Sequence, residues 1–194
     1  MNPHDRRQSD DERTRWLMQH QSWLTLLARL EIDSRFQGKF SASDAVQQTM
    51  MEAWNGWDGF RGSDGRQRRA WLRQILAHQL AHLARHYAGT KKRDVTREVS
   101  LEHSLAQSSS RLERLLPANV VSPSDLAVIR ERQLMIAEVL ERLPPEYREV
   151  IILRNLQDLS HAEIANRMNR SEGAVQMLWL RALEQLRKEI TCSS

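Results

Sequence analysis

The chain has 194 residues, with 29 Lys and Arg against 25 Asp and Glu and a pI near 9.7. Its single cysteine, Cys192, excludes an internal disulfide and fits a reducing compartment. No apolar run is long enough for a membrane span or a signal peptide, so we expect a cytoplasmic protein without membrane insertion. The length allows one domain or two small ones, and the surplus of positive charge suits a nucleic-acid partner.

Helical periodicity runs through the chain, and no segment clearly shows the two-residue alternation of a strand. The polar residues 1–12 are expected to be disordered. A helix is predicted over 13–40, and a second helix with Ser43 as its N-cap follows it. After a loop rich in Gly and Asp over 58–65, a third helix is predicted from 69 to 87.

Positive charge is concentrated in residues 61–97, which contain ten Lys or Arg and two Asp and therefore carry a net charge of +8. Residues 145–190 contain seven charges of each sign. Because phosphate contacts supply much of the affinity of DNA-binding proteins, we infer that the first half contacts nucleic acid. The alternative is a solvated basic loop. Residues 98–124, which contain serine clusters, are predicted as a linker with a short amphipathic piece, and a helix is predicted over 126–143.

The last third of the chain contains three helical patterns with very short joints. The first covers 145–156 and begins with Pro, which is typical of a first helical turn. The second begins at Ser160, which forms a capping-box pattern with Glu163. Asn169 tolerates the left-handed conformation of a tight turn, and the third helix begins at Ser171. Two helices joined in this way predict a helix-turn-helix, whose second helix enters a major groove.

The last of these helices has two distinct faces at helical spacing. The side predicted to pack inward carries Val175, Leu178, Trp179, Ala182 and Leu186. The other side carries Gly173, Gln176, Met177, Leu180 and Arg181. Met and Leu beside Arg are unusual for a solvated face and suggest a contact surface. The alternative is an ordinary helical hairpin that packs on another part of the protein.

An ordered set of short motifs over this segment resembles region four of the sigma-70 family, of the extracytoplasmic-function (ECF) type. The set is LP, ILR, LS-x-x-EIA, S-x-x-AV and RAL-x-x-LR, spread over nearly fifty residues. The resemblance implies a domain that binds the minus-thirty-five promoter element. The positions that match the family's DNA contacts are Arg154, Arg170, Gln176, Met177, Leu180 and Arg181.

The first half resembles region two of the same family through DAVQQTMMEAW, FRG and AWLRQI. The first motif implies docking on the clamp helices of the polymerase beta-prime subunit, by Asp44, Val46 and Gln47. The later motifs imply a loop that holds an extruded base and a helix that reads the minus-ten element. The matching positions are Arg61, Arg69, Trp71, Arg73, His78 and His82.

The chain departs from the family pattern at several of these positions. His78 replaces a frequent Asn and His82 a frequent Asp, so the preferred promoter bases are expected to differ. Ser41 and Ser43 occupy positions where the family carries acids, and a regulatory kinase could restore the charge there.

A metalloenzyme is the least favoured alternative. His78, His82 and His86 recur every four residues and two of them could bind zinc, but no carboxylate lies within that run. No phosphate-binding loop, nucleophile elbow or H-E-x-x-H motif is present. We therefore expect neither an enzyme nor a cofactor nor a metal site.

The expected architecture is all-α, with two small helical domains joined by a flexible linker. The predicted boundaries are 1–12 for the disordered start, 13–97 for the region-two-like domain, 98–124 for the linker and 125–190 for the region-four-like domain. The resemblance implies an ECF-type sigma factor that directs promoter recognition, DNA melting and transcription initiation. The partners it implies are core RNA polymerase (beta-prime clamp helices and beta flap), promoter DNA and an anti-sigma factor, and the free chain would be a monomer. The alternative is a stand-alone helix-turn-helix regulator that binds DNA by itself.

Overall fold

The computed structural model describes residues 3–32, 41–88, 95–113, 115 and 126–192. Within these ranges the regular structure is helical and no strand occurs, which confirms the all-α prediction. The chain divides into two compact units, Met1–Gln107 and Ser108–Ser194. None of the described helices is both long enough and apolar enough to cross a membrane.

Unit 1 is built around helix α2, whose apolar side is fully enclosed. Its helices are α1 (Pro3–Gln19), α2 (Gln21–Glu31), α3 (Ala42–Gly56), a 3-10 turn (Trp57–Gly59), α4 (Gly65–Ala88) and the first part of α5 (Val95–Glu113). α2 packs against α3 and α4, and α3 packs against α4. Trp23, Leu24 and Leu27 of α2 are completely buried there. This core places α3 and α4, which carry the predicted polymerase and DNA contacts.

The start of the chain differs from its prediction. Residues 3–12, expected to be disordered, form the first turns of α1. Arg13 and Leu17, further along the same helix, are buried, so tertiary packing holds α1 from Arg13 onwards. The single helix predicted over 13–40 is interrupted at His20, whose N–H bonds to the carbonyl of Leu17 three residues back. Its predicted end lies outside the described residues.

Two helix starts are displaced from their predicted positions by local side-chain caps. Ser41, rather than Ser43, caps α3: its Oγ accepts from the N–H of Asp44 at 3.2 Å. Asp44 Oδ2 accepts from the N–H of Ser41 at 2.9 Å, which completes a capping box. α4 begins at Gly65 rather than at 69, because Asp64 Oδ1 accepts from the N–H of Gln67 at 2.8 Å.

The first part of the segment predicted as a flexible linker is helical. α5 extends to Glu113, and the boundary between the two units falls within it. Leu105, Ser108 and Leu112 recur at helical spacing and are buried. Two of the serines that suggested a linker by composition, Ser108 and Ser109, therefore lie on the buried side of a helix. Of the rest of the predicted linker, residues 114 and 116–124 lie outside the described part.

Unit 2 contains the predicted helix-turn-helix. Its elements after α5 are α6 (Leu126–Arg142), α7 (Pro145–Ile151), a π-helical turn (Ile152–Leu156), α8 (His161–Met168) and α9 (Glu172–Cys192). α6, α7 and α8 all pack against α9. The predicted helix over 145–156 ends in the π turn, where the N–H of Gln157 bonds to the carbonyl of Ile152 five residues back.

Candidate nucleic-acid interface

The joint between α8 and α9 has the geometry that the sequence predicts. Ser160 caps α8, with its Oγ accepting from the N–H of Glu163 at 3.3 Å and its own N–H donating to Glu163 Oε2 at 2.7 Å. Asn169 is left-handed, with φ of 52°. Ser171 Oγ accepts from the N–H of Ala174 at 3.3 Å, at the start of α9. The capping and turn predictions are confirmed.

The exposed side of α9 carries the residues predicted to contact the upstream element. Val175, Leu178 and Ala182 are buried, whereas Met177 and Leu180 are 52% and 48% exposed. Gln176, Gly173 and Arg181 are also exposed. Two large apolar side chains on an open helix face make exposure of that face to water less favourable in free energy. The face is therefore suited to a partner that offers apolar contacts, such as thymine methyl groups in a major groove.

The two other arginines predicted for this interface hold the local structure. Arg154 is half-buried and its Nη1 donates to the carbonyl of Leu159 at 3.0 Å, across the joint between α7 and α8. Arg170 pairs with Glu146 at the start of α7. Any phosphate contact by either guanidinium must share it with, or replace, these partners.

A third arginine at this joint was not predicted. Arg111 of α5 donates from Nη1 to the carbonyl of Leu156 at 2.5 Å, and its Nη2 lies 3.1 Å from Asp158 Oδ2. Asp158 is left-handed, with φ of 56°. The sequence offers no signal for this contact, because 45 residues separate Arg111 from Leu156.

The same joint is tied to α9 through an indole. Trp179 Nε1 donates to Asn155 Oδ1 at 3.0 Å. A cavity of about 240 Å³ is lined by the side chains of Arg111, Leu115, Arg154, Asn155, Asp158 and Trp179. Trp179, predicted to pack inward, is thus half-buried at the edge of a polar cavity.

In unit 1, the predicted polymerase contacts lie on α3 but not on one face. Asp44 and Gln47 are exposed, whereas Val46 is 2% exposed and packs inside the unit. The N–H and hydroxyl of Ser41 both donate to Asp44, and these bonds hold the pKa of that carboxyl below its usual range. Asp44 is thus a charged, exposed group at the start of α3, where a basic partner could contact it.

The predicted downstream interface contains an aromatic wall. The rings of Phe60 and Trp71 lie 5.1 Å apart between centroids, and Trp57 packs edge-on to Trp71. The guanidinium of Arg68 lies 4.7 Å from the ring centroid of Trp57 and 5.3 Å from that of Trp16. Trp16 comes from α1, so the N-terminal helix contributes to this wall. The sequence offered no sign of that contribution.

A second contact joins α1 to the same loop. Arg13 Nη2 lies 2.6 Å from Asp58 Oδ1, and its guanidinium lies over the rings of Trp54 and Trp57. Arg13 is thereby a supporting residue of the loop over 58–65 that sequence analysis did not identify, because 45 residues separate the two partners.

The predicted minus-ten residues fall into two groups on α4. His78 and His82 lie on the open side, with Trp71, and Arg61 is exposed in the preceding loop. Arg69 is only 8% exposed. Arg73 is half-buried and lies about 140° around the helix from His78, because successive residues turn by ~100°. The structure thus brings the histidines and Trp71 together and separates Arg69 and Arg73 from them.

Within the described ranges, no three His, Cys, Asp or Glu side chains are placed to share a metal ion, and this includes His78, His82 and His86. His78 Nδ1 lies 4.0 Å from Glu52 Oε1 of α3, at the edge of an ion-pair contact.

Comparisons with known proteins match both units to one family. Models described as Sigma-70 region 2 and Sigma-70 region 4 match residues 18–93 and 133–186. The ECF RNA polymerase sigma factor SigG of Mycobacterium tuberculosis is 30% identical over 156 residues, which cover 75% of this chain and 40% of SigG. The ECF RNA polymerase sigma-E factor of Salmonella typhimurium is 26% identical over 159 residues, which cover 81% of this chain and 78% of that factor.

The chain therefore spans less than half the length of SigG. Among solved structures, the cocrystal structure of the flagellar sigma/anti-sigma complex Sigma-28/FlgM aligns with 98% of this chain and 98% of the matched chain. Its sequence identity is 16% and its TM-score 0.33.

Proposed function

Because the chain belongs to the ECF group of the sigma-70 family, we propose that it binds core RNA polymerase and directs it to a promoter, where it helps to open the DNA. The observation that carries the proposal is the pairing of a capped helix-turn-helix with a separate basic unit that contains an aromatic wall. A sigma factor needs both, since it must grip duplex DNA upstream and single-stranded DNA downstream.

For the upstream element, we assign α9 to the major groove. Gln176 and Arg181 offer hydrogen-bonding groups to base edges, and Met177 and Leu180 offer apolar contact to thymine methyl groups. Residues 145–190 have no net charge, so this unit gains little from phosphate attraction alone. Tethering by the polymerase would supply the local concentration that this neutral unit needs.

For the downstream element, we assign the wall of Trp57, Phe60 and Trp71 together with the open side of α4. A base extruded from the duplex gains ~1–3 kcal/mol by stacking on an aromatic ring, which offsets the few kcal/mol lost on unstacking. The net charge of +8 over residues 61–97 attracts the displaced strand. In this proposal the chain holds DNA open and performs no covalent chemistry.

For polymerase docking, we assign the exposed side of α3 with Asp44 and Gln47 to the beta-prime clamp helices, and unit 2 to the beta flap. Val46 supports α3 from within and contacts no partner in this assignment. An anti-sigma factor is a further proposed partner, which follows from the resemblance alone. A kinase acting on Ser41 or Ser43 is another, because a phosphate there would supply the negative charge that the family carries at these positions.

Run-off transcription with core polymerase on a library of promoters tests the proposal. We expect transcripts that require this chain and share an upstream and a downstream motif. The alternative, a stand-alone helix-turn-helix regulator, predicts tight binding to duplex DNA without polymerase, as a dimer. Core-independent duplex binding together with absent run-off products would decide for that alternative.

A further inference from the structure

Helix α5 lies between the two segments that the family models match, so the resemblance assigns it no role. Its first half belongs to unit 1. There Arg85 Nη1 of α4 donates to Glu98 Oε1 of α5 at 3.0 Å. The two side chains are only 16% and 15% exposed, so this ion pair is largely shielded from solvent.

A second contact holds this part of α5 on unit 1. Ser104 Oγ donates to Glu31 Oε1 at 2.6 Å, which anchors the next part of α5 to α2.

The position of Arg85 on α4 gives its contact with Glu98 a consequence for DNA binding. His78, His82 and Arg85 follow one another at spacings of four and three residues, so they form one stripe along α4. This stripe is the open side that we assign to the downstream element. An arginine at its end would reach a DNA phosphate, yet in this structure its guanidinium is engaged by Glu98.

We propose that Glu98 covers Arg85 in the free protein, and that Arg85 contacts a DNA phosphate once α5 is displaced. The inference rests on the proposed function, because it takes α4 as the helix that meets single-stranded DNA. A phosphate can replace the carboxylate without leaving the guanidinium unpaired, so the exchange carries no penalty for a stranded charge. Arg85 thereby becomes a DNA contact that the family pattern does not include.

The test compares two charge-matched variants of the full chain. Glu98→Gln removes the cover. Glu12→Gln removes the same charge from an exposed position on α1. Each variant and the parent are titrated with a fluorescent single-stranded oligonucleotide of mixed sequence over a series of salt concentrations.

Freeing one phosphate contact should steepen the slope of log K against log salt by about 0.7 on a single strand. The Glu12→Gln control should show the same slope as the parent. Equal slopes for both variants would mean that only net charge matters, and would overturn the proposal.

Adding Arg85→Gln to the Glu98→Gln variant separates release of the arginine from loosening of the fold. The slope should fall back by about 0.7 to that of the parent, because the freed contact is lost. An unchanged slope would overturn the role of Arg85.

Run-off transcription by the parent chain separates failure of this inference from failure of the proposed function. If the parent supports transcription and the slopes coincide, only the proposed covering of Arg85 by Glu98 is wrong. If the parent supports no transcription and the Glu98→Gln variant has the steeper slope, the covering stands and the proposed sigma-factor function is wrong.

Discussion

At the scale of single residues, Arg181 of α9 has the clearest expected effect. Arg181→Ala should cost ~1–3 kcal/mol of binding at the upstream element if the guanidinium reads a guanine bidentately, and should relax preference at that base pair only. Arg187→Ala, an exposed position further along the same helix, is the matched control and should change neither. Run-off transcription on a promoter library measures both effects.

Arg154→Ala should behave differently, because this guanidinium already holds the carbonyl of Leu159. We expect weaker binding at every upstream sequence, as for a phosphate contact, together with a loss of ~0.5–1.5 kcal/mol in unfolding free energy. A change of base preference in this variant, with stability unchanged, would contradict the assignment.

His20 should make the stability of unit 1 depend on pH. It is 4% exposed, and burial lowers its pKa from 6.5 to about 4, although the carbonyl of Trp16, which accepts from Nδ1, favours the charged form. Below pH 6.5, His20 therefore binds a proton in the unfolded chain but not in the folded chain. Stability is fully present above that pH and falls by roughly 3 kcal/mol as the pH drops towards 4.

Urea unfolding of the parent and of His20→Phe across this pH range measures the effect. The Phe variant keeps the ring contacts with Trp16 and Trp23 but cannot be protonated. Burial raises the pKa of Glu31, which adds a smaller change of opposite sign above pH 4.5 in both proteins. Parallel pH curves for parent and variant would show that His20 is not the group responsible.

At the scale of elements, the start of α3 combines a cap with the predicted docking site. Ser41 caps the helix and holds Asp44, so Ser41→Ala should cost ~1 kcal/mol of unfolding free energy. Ser43 is exposed and makes no cap, so Ser43→Ala is the matched control and should be near neutral. Thermal unfolding compares the two variants.

The same element permits a test of charge in docking. If acids at these positions strengthen contact with a basic polymerase surface, Ser41→Glu with Ser43→Glu should bind core polymerase more tightly at low salt. The Ser43→Glu single variant, which leaves the cap intact, should show part of the gain. Unchanged affinity in both would leave the serines with a helix-capping role alone.

At the scale of the whole molecule, the proposed function divides affinity and base reading between the two units. Residues 61–97 carry the surplus positive charge, and residues 145–190 carry none. A neutral reader cannot hold DNA tightly by itself, and a basic unit with an aromatic wall has little duplex specificity. Both properties together explain why the proposed activity requires a polymerase that binds the two units at once.

The sequence by itself determined the helices and turns whose causes are local. The Ser160 capping box, the left-handed Asn169 and the two faces of α9 depend on residues within a few positions of each other, so their spacing was sufficient. The family match adds that both units belong to one protein family.

The tertiary structure decided whatever depends on partners distant in the chain. α5 appeared as a linker because its serines suggest flexibility, and only the packing of Leu105 and Leu112 makes them part of a helix. Arg13 and Arg111 meet carboxylates 45 and 47 positions away, contacts that no local spacing encodes. The tertiary structure likewise decided which basic residues of α4 are exposed. Arg69 is buried and Arg85 is paired with Glu98, and charge in a sequence does not reveal which face of a helix is covered.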